Sequence, residues 1–219
     1  MEDILNKFGI IPNNIKIYDI ALSHSSYANE HHDKKSYERL EFLGDAVLEL
    51  VVSDYLYNND DQDEGDMTKK RANYVCENAL YQYMKDLDFI KYIKVGHGEI
   101  GNIQKAIVAD IFESLMGAIY LDKGFEVVKK TILNVVKPYI MQKRYFLNDY
   151  KSILQEAIQT DKKSLSYDLI SESGPAHDKK FTVAVRIDNI IYGKGTASSK
   201  KEACQLAARD TLEKLAVNK

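Results

Sequence analysis

The sequence has few of the residue types that mark exported, disulfide-bonded or membrane-embedded proteins. Its 219 residues include two cysteines, Cys76 and Cys204, which lie far apart and form no CxxC pair. This excludes a disulfide framework and a CxxC zinc site. No apolar run reaches the roughly 18 residues of a membrane helix, and the acidic start Met1-Glu2-Asp3 does not resemble a secretory signal. We therefore expect a cytoplasmic protein with no membrane partner.

Net charge is also low, but it differs in sign between two parts of the chain. The whole-chain value of −3, taken alone, disfavours a nucleic-acid partner. A boundary near Asn148 separates residues 1–148, with a net charge of −5, from residues 149–219, with +2. Between Leu40 and Thr68 there are nine acids and no lysine or arginine. Since like charges on one helix repel, this segment indicates a bound cation or a solvated acidic loop.

Helical periodicity dominates residues 1–148. Apolar residues recur at helical spacing and few segments alternate as strands do, so we expect helix-packed architecture with loops at Asn58–Asp66 and Gly96–Gly101. The acidic loop does not fit an EF-hand, because Arg71 stands where a bidentate glutamate is required. His24 and the other histidines of this part show no metal-ligand spacing and are expected to be structural or solvated. The predicted helices cover residues 17–25, 37–56, 68–87, 103–121 and 126–139.

Two of these helices carry carboxylates among apolar residues. Glu38, Glu41 and Asp45 fall within about 60° of arc on the first. Asp110 and Glu113 are the only charges of residues 106–121 in the second. A buried carboxylate must be protonated, paired with a base or bound to metal, and few bases lie nearby in sequence. Glu41, Asp45, Asp110 and Glu113 suit a hard divalent ion such as Mg²⁺. The alternative is a plain exposed acidic stripe on the first helix.

Residues 149–219 follow a different pattern of helix, three short strands and helix. Ser199 and Glu202 form a predicted capping box at the start of the last helix. Lys200 and Lys201 lie in its first turn, where the helix dipole disfavours cations unless an anion binds. They predict a phosphate site, with two tolerated surface lysines as the alternative. The predicted elements are a helix at 149–159, strands at 166–172, 181–187 and 190–194, a hairpin turn at Asp188-Asn189, and a helix at 200–215.

Taken together, these segments resemble bacterial ribonuclease III over essentially the whole chain. ERLEFLGDA at 38–46 is similar to the family's signature helix, and ADIFESL at 109–115 to its second metal-binding helix. DEGDMT at 63–68 and LSHSSY at 22–27 resemble further family segments. DYKSILQE at 149–156, GPAH at 174–177 and SKKEA at 199–203 resemble a double-stranded-RNA-binding domain. One departure is Cys204, which stands where many such domains have a lysine, so one phosphate contact is expected to be missing.

The resemblance implies a multi-domain protein. Its parts are an all-α endonuclease domain at residues 1–146 and a small α+β (α-β-β-β-α) double-stranded-RNA-binding domain at 149–218. The implied activity is hydrolysis of double-stranded RNA by a two-metal mechanism with Mg²⁺, for which Mn²⁺ substitutes, and without an organic cofactor. Products carry 5′-phosphate and 3′-hydroxyl ends with short 3′ overhangs. Ribosomal precursor RNA and some messenger and transfer RNAs are the implied targets. The rival interpretations are a non-catalytic dimeric RNA-binding protein and a DNA nuclease.

The resemblance also implies roles for individual residues. Phe42 is expected at the interface of a homodimer. The implied metal ligands are Glu41, Asp45, Asp110 and Glu113, and the implied catalytic residues are Asp45, Glu113, Glu38 and Glu64. The implied RNA contacts are Ser152, Gln155, Glu156, Gln159, His177, Ser199, Lys200 and Lys201.

Overall fold

The computed structural model describes residues 2–32, 35–147, 150–160, 163–175 and 179–217. The predicted fold class is confirmed, because helices precede a three-stranded antiparallel sheet flanked by two helices. Single turns of 3-10 helix lie at Ile90–Tyr92 and His97–Glu99. The elements are α1 Glu2–Phe8, α2 Ile15–Ala21, α3 Ser25–Glu30, α4 Glu38–Asn59, α5 Glu64–Val75, α6 Glu77–Asp86, α7 Lys105–Lys123, α8 Phe125–Met141, α9 Tyr150–Thr160, β1 Leu165–Ser173, β2 Lys180–Ile187, β3 Ile190–Ala197 and α10 Lys200–Val217.

The chain divides into two compact units, Met1–Leu147 and Asn148–Lys219. Helix α7 lies at the centre of the first unit, where it packs against α2, α4, α6 and α8. Most of its apolar side chains, such as Phe112 and Met116, are buried, whereas Leu121 near its C-terminal end is exposed. This follows from a sequence that is apolar nearly all round the helix, which is stable only when other elements cover every face.

Two glycines let α4 and α7 pack with their backbones in contact. A Cβ atom built on Gly44 would overlap the carbonyl group of Glu113, and one built on Gly117 would overlap the carbonyl of Leu40. Any side chain at either position would therefore force the helices apart. The close packing places the carboxylates of the two helices on adjoining surfaces.

The predicted helix at 68–87 is wrong as a single element. Cys76 is extended (φ −72°, ψ 158°) and separates α5 from α6. The break turns the two halves onto different neighbours, since α5 packs mainly on α4 and α6 on α7. The acidic loop also ends earlier than predicted, because the Asp63 side chain accepts a hydrogen bond from the Asp66 backbone N–H at 3.0 Å and begins α5 at Glu64.

The second unit packs two helices against one face of its sheet, whose order is β1-β2-β3. Leu154, Val185 and Ala207 are buried in a core shared by α9, β2 and α10. The predicted hairpin turn is confirmed, since Asp188 and Asn189 both have positive φ, 48° and 66°, as two-residue hairpin loops require.

Within the described residues, the longer helices all lack the sustained apolar stretch that crossing a membrane requires.

Candidate metal centre and nucleic-acid interface

Three carboxylates from two helices meet in the first unit. Glu41 lies in the first turn of α4, and Asp110 and Glu113 lie one turn apart on α7. One oxygen atom from each lies within 4.8 Å of the others, and all three side chains are half-buried. Hard divalent cations are bound by oxygen ligands of this kind. The structure thus brings together three of the four acids predicted to hold a metal.

The electrostatic environment of this cluster favours a bound cation. Burial, followed by the negative charges of Asp45, Asp110 and Glu41, raises the pKa of Glu113 from 4.5 to about 8. Burial is also the main cause of the raised pKa values of Glu41 and Asp110. The neighbouring charges with the largest effects on Glu113, those of Asp45, Asp110, Glu41 and Glu49, are all negative. The donor set and its unbalanced charge therefore fit a divalent metal ion.

Asp45 and Glu38 lie beside the three-carboxylate cluster but outside it. Both are exposed on α4, one turn after and one turn before Glu41. Among neighbouring charges, Asp45 has the largest effect on the pKa of Glu113, and Glu38 contributes to the raised pKa of Glu41. The Glu38 carboxylate accepts a hydrogen bond from Ser36 Oγ at 3.0 Å. Both can therefore act on a cation held by the cluster through their charge.

Glu64 is not among the clustered carboxylates. It lies exposed in the first turn of α5, and its carboxylate accepts a hydrogen bond from Thr68 Oγ1 at 3.1 Å. Its predicted catalytic role thus has less support in the geometry than the roles of the residues on α4 and α7.

Sequence reasoning missed Tyr37, which directly contacts the cluster. This residue precedes α4, is 5% exposed, and donates a hydrogen bond from its hydroxyl to Asp110 Oδ2 at 2.8 Å. Its ring stacks on His24, with centroids 5.7 Å apart and planes at 27°. The only sequence signal was the position of Tyr37 next to Glu38, which does not reveal a contact with α7.

Exposed apolar side chains follow one face of α4. Phe42 is 83% exposed, Leu50 55% and Tyr57 77%. At 100° per residue they fall within about 80° of arc, on one side of the helix. Single exposed apolar residues are ordinary, but a row of them along one helix face is typical of a protein interface.

The predicted RNA-contacting residues lie on α9 and around the start of α10. Gln155 is exposed on α9, and Lys200 and Lys201 are exposed in the first turn of α10. The backbone N–H of Glu202 donates to Ser199 Oγ at 3.2 Å, which confirms half of the predicted capping box. Ser152 is half-buried on α9. Two of the predicted side chains, Glu156 and Gln159, and the whole of His177 lie outside the described part of the structure.

Two protein-family models match the chain. A ribonuclease-III-like model matches residues 14–140. A double-stranded RNA binding motif matches residues 150–215. One match falls within each compact unit.

Relatives and solved structures agree with these matches. Ribonuclease 3 from Clostridium tetani is 45% identical over an alignment that covers 100% of this chain and 96% of the relative. Ribonuclease 3 from Onion yellows phytoplasma is 42% identical, with coverage of 99% and 92%. A structure of the ribonuclease III nuclease domain from Campylobacter jejuni, described as flexible in a region involved in dimer formation, is 32% identical with a TM-score of 0.58. It covers 63% of this chain, and the alignment spans 96% of that domain.

Proposed function

This chain belongs to the ribonuclease III family, whose members are double-stranded-RNA endoribonucleases, and we propose that it hydrolyses RNA duplexes with a divalent metal ion. The observation that supports the metal is the cluster of Glu41, Asp110 and Glu113, which places three half-buried carboxylates together and raises the pKa of Glu113 to about 8. The functional domains proposed are residues 1–146 for cleavage and 149–218 for RNA binding. The proposed compartment is the cytoplasm.

The proposed ligands of the ion are Glu41, Asp110 and Glu113, together with Asp45. Mg²⁺ supplies activation of water and neutralisation of phosphate charge when it is bound, and a second ion would serve the leaving oxygen. Glu38 and Glu64 are proposed to complete the acidic site, Glu38 through its charge beside Glu41. Mn²⁺ has the same preference for oxygen ligands and is expected to substitute.

Water, and not a side chain of the protein, is the proposed nucleophile. In the proposed reaction the oxygen of water bonds to phosphorus and the bond from phosphorus to the 3′ oxygen breaks. The water gives up a proton and the leaving 3′ oxygen takes one up, so no serine or cysteine nucleophile is required. The products are then a 5′-phosphate and a 3′-hydroxyl. Short 3′ overhangs follow when the two strands are cut at staggered positions by two active sites, which the proposed homodimer supplies.

The second unit is proposed to hold the duplex by its shape. A-form RNA offers phosphates and 2′-hydroxyl groups more readily than base edges, so recognition depends on helix geometry. Lys200 and Lys201 are proposed to contact phosphates, with Ser199, Ser152 and Gln155 as further contacts. Glu156, Gln159 and His177 are proposed contacts on the strength of the family resemblance. Ribosomal precursor RNA, with some messenger and transfer RNAs, remains the proposed cellular target.

Replacing Glu113 with glutamine tests the proposed metal centre. Glu113→Gln removes a ligand charge while keeping the side-chain shape, so we expect cleavage of a long RNA duplex in Mg²⁺ to fall by at least about 100-fold. Duplex binding by this variant should stay intact and weaken as salt rises, since phosphate contacts are salt-dependent. Cleavage is measured on gels and binding by fluorescence anisotropy at several salt concentrations.

The matched control is Glu126→Gln, which makes the same change at an exposed position in the first turn of α8. It should cleave like the wild type. Cleavage by Glu113→Gln at the wild-type rate would contradict the metal assignment. An RNA duplex left intact by the wild-type protein would favour a non-catalytic RNA-binding protein, and equal cutting of duplex DNA would overturn the substrate class.

A further inference from the structure

Tyr37 contacts the three-carboxylate cluster without adding charge to it. Its hydroxyl donates to Asp110 Oδ2 at 2.8 Å from a ring that is 5% exposed. A tyrosine hydroxyl carries its proton at neutral pH, so in this contact Tyr37 is the donor and the Asp110 carboxylate is the acceptor. A hydrogen bond to one carboxylate oxygen restricts the rotation of the group and therefore the direction of its other oxygen. Tyr37 is therefore placed to restrict the orientation of the Asp110 carboxylate.

The ring of Tyr37 is held in turn by contacts outside the cluster. It stacks on His24, whose Nδ1 lies 2.8 Å from Ser26 Oγ and 3.0 Å from Glu99 Oε2. The Tyr37 backbone N–H donates to the carbonyl of Ser23 at 3.0 Å. Both the ring and the backbone of Tyr37 are thus fixed, and the hydroxyl has little freedom to leave Asp110.

We propose that Tyr37 is a positioning residue of the metal centre, which holds the Asp110 carboxylate in the orientation that binds the ion. The inference rests on the proposed metal site and adds a residue that neither ligates metal nor carries charge. Groups that hydrogen-bond to a metal ligand commonly change metal affinity by about 10- to 100-fold when they are removed.

Tyr18 supplies a matched comparison within the same unit. It is fully buried, and its hydroxyl donates to Asp122 Oδ2 at 2.9 Å. Asp122 lies on α7 with Asp110, twelve residues further along, which is about 18 Å at 1.5 Å per residue. Loss of either hydroxyl removes one tyrosine–aspartate hydrogen bond, but only Tyr37 reaches the cluster. If the Tyr37 hydroxyl only stabilised the fold, removing it and removing the Tyr18 hydroxyl would have the same effect on Mn²⁺ affinity.

The experiment titrates Mn²⁺ into RNA-free protein by isothermal titration calorimetry, using wild type, Tyr37→Phe and Tyr18→Phe. Phenylalanine keeps the ring and its stacking on His24, and circular dichroism checks that both variants fold. We expect Tyr37→Phe to weaken Mn²⁺ binding by about tenfold or more, with Tyr18→Phe close to wild type. In cleavage assays, Tyr37→Phe should need more Mg²⁺ for its half-maximal rate.

If Tyr37→Phe loses no more Mn²⁺ affinity than Tyr18→Phe does, the inference is overturned and the proposed metal centre stands. If neither the wild type nor Glu113→Gln binds Mn²⁺, the proposed metal centre and the inference are both overturned. The wild-type titration thus distinguishes the two failures.

Discussion

At the level of single residues, the raised pKa of Glu113 predicts that the stability of the folded protein depends on pH. Its pKa of about 8 in the folded protein, against an ordinary value of 4.5, means that the folded metal-free chain holds a proton that the unfolded chain releases. The stabilisation from this proton is full below pH 4.5 and is lost as the pH rises towards 8. We expect the wild type to lose stability over this range relative to Glu113→Gln, which cannot ionise there.

Thermal unfolding in EDTA from pH 5 to 9 measures this difference. The informative quantity is the gap in unfolding temperature between wild type and Glu113→Gln, because other titrating groups affect both proteins. Curves that stay parallel across the range would show that Glu113 has an ordinary pKa. Saturating Mg²⁺ should flatten the wild-type curve, since the bound ion replaces the proton.

The sequence predicted the acids of the cluster but not the uncharged residue that contacts them. Asp110 and Glu113 were identifiable because a charge inside an apolar helix needs a partner. Tyr37 gave no such signal, since a tyrosine before a helix is common and its contact with Asp110 depends on how α4 crosses α7. Glu64 shows the opposite case, because the family resemblance marked it while the described geometry leaves it away from the three-carboxylate cluster.

At the level of elements, the packing of α4 on α7 depends on Gly44. A methyl group there would meet the Glu113 backbone, which cannot rotate away as a side chain can. We expect Gly44→Ala to lower the free energy of unfolding by about 3 kcal/mol, at the upper end of typical overpacking costs. Because the helices must separate, Mn²⁺ affinity should fall as well. Urea unfolding and calorimetric titration measure the two effects.

Gly65→Ala is the control for this change. Gly65 also lies in a helix, but its added Cβ would meet only Asp63 Oδ1, at an ordinary 3.5 Å. Alanine favours helix over glycine by up to about 1 kcal/mol, so this variant should be neutral or slightly more stable. Equal destabilisation by both substitutions would contradict the argument from close helix packing.

The long helices were predictable from sequence because the apolar residues that recur at helical spacing are the residues that are buried when the helix packs. Short helices were harder. Helix α3 has six residues and begins where the His24 side chain accepts from the Ser26 backbone N–H, a local cap with little periodic signal. The break at Cys76 was hidden because apolar residues on both sides are buried, so the helical pattern continues through it. Caps and tertiary contacts, more than periodicity, decide such boundaries.

At the level of the whole molecule, net charge is informative only by region. The six proposed site carboxylates account for the change of residues 1–148 from +1 to −5. Residues 149–219, which match the double-stranded RNA binding motif between 150 and 215, carry +2. The overall −3 thus combines an acidic first part, which contains the proposed metal centre, with a second part whose small positive charge suits the proposed contact with phosphate.

The exposed face of α4 carries the last prediction, which concerns assembly. Phe42 is 83% exposed and contributes little to the fold of one chain. In the proposed two-fold dimer each copy would bury its own Phe42, and each burial would contribute roughly 2 kcal/mol. We therefore expect Phe42→Ala to raise the dimer dissociation constant by roughly 100- to 1,000-fold while leaving monomer stability nearly unchanged.

Sedimentation equilibrium over a range of protein concentrations measures the dimer dissociation constant. Ile11→Ala, at a position 84% exposed, is the control and should dimerise like the wild type. A wild-type protein that sediments as a monomer at micromolar concentration would refute the proposed homodimer.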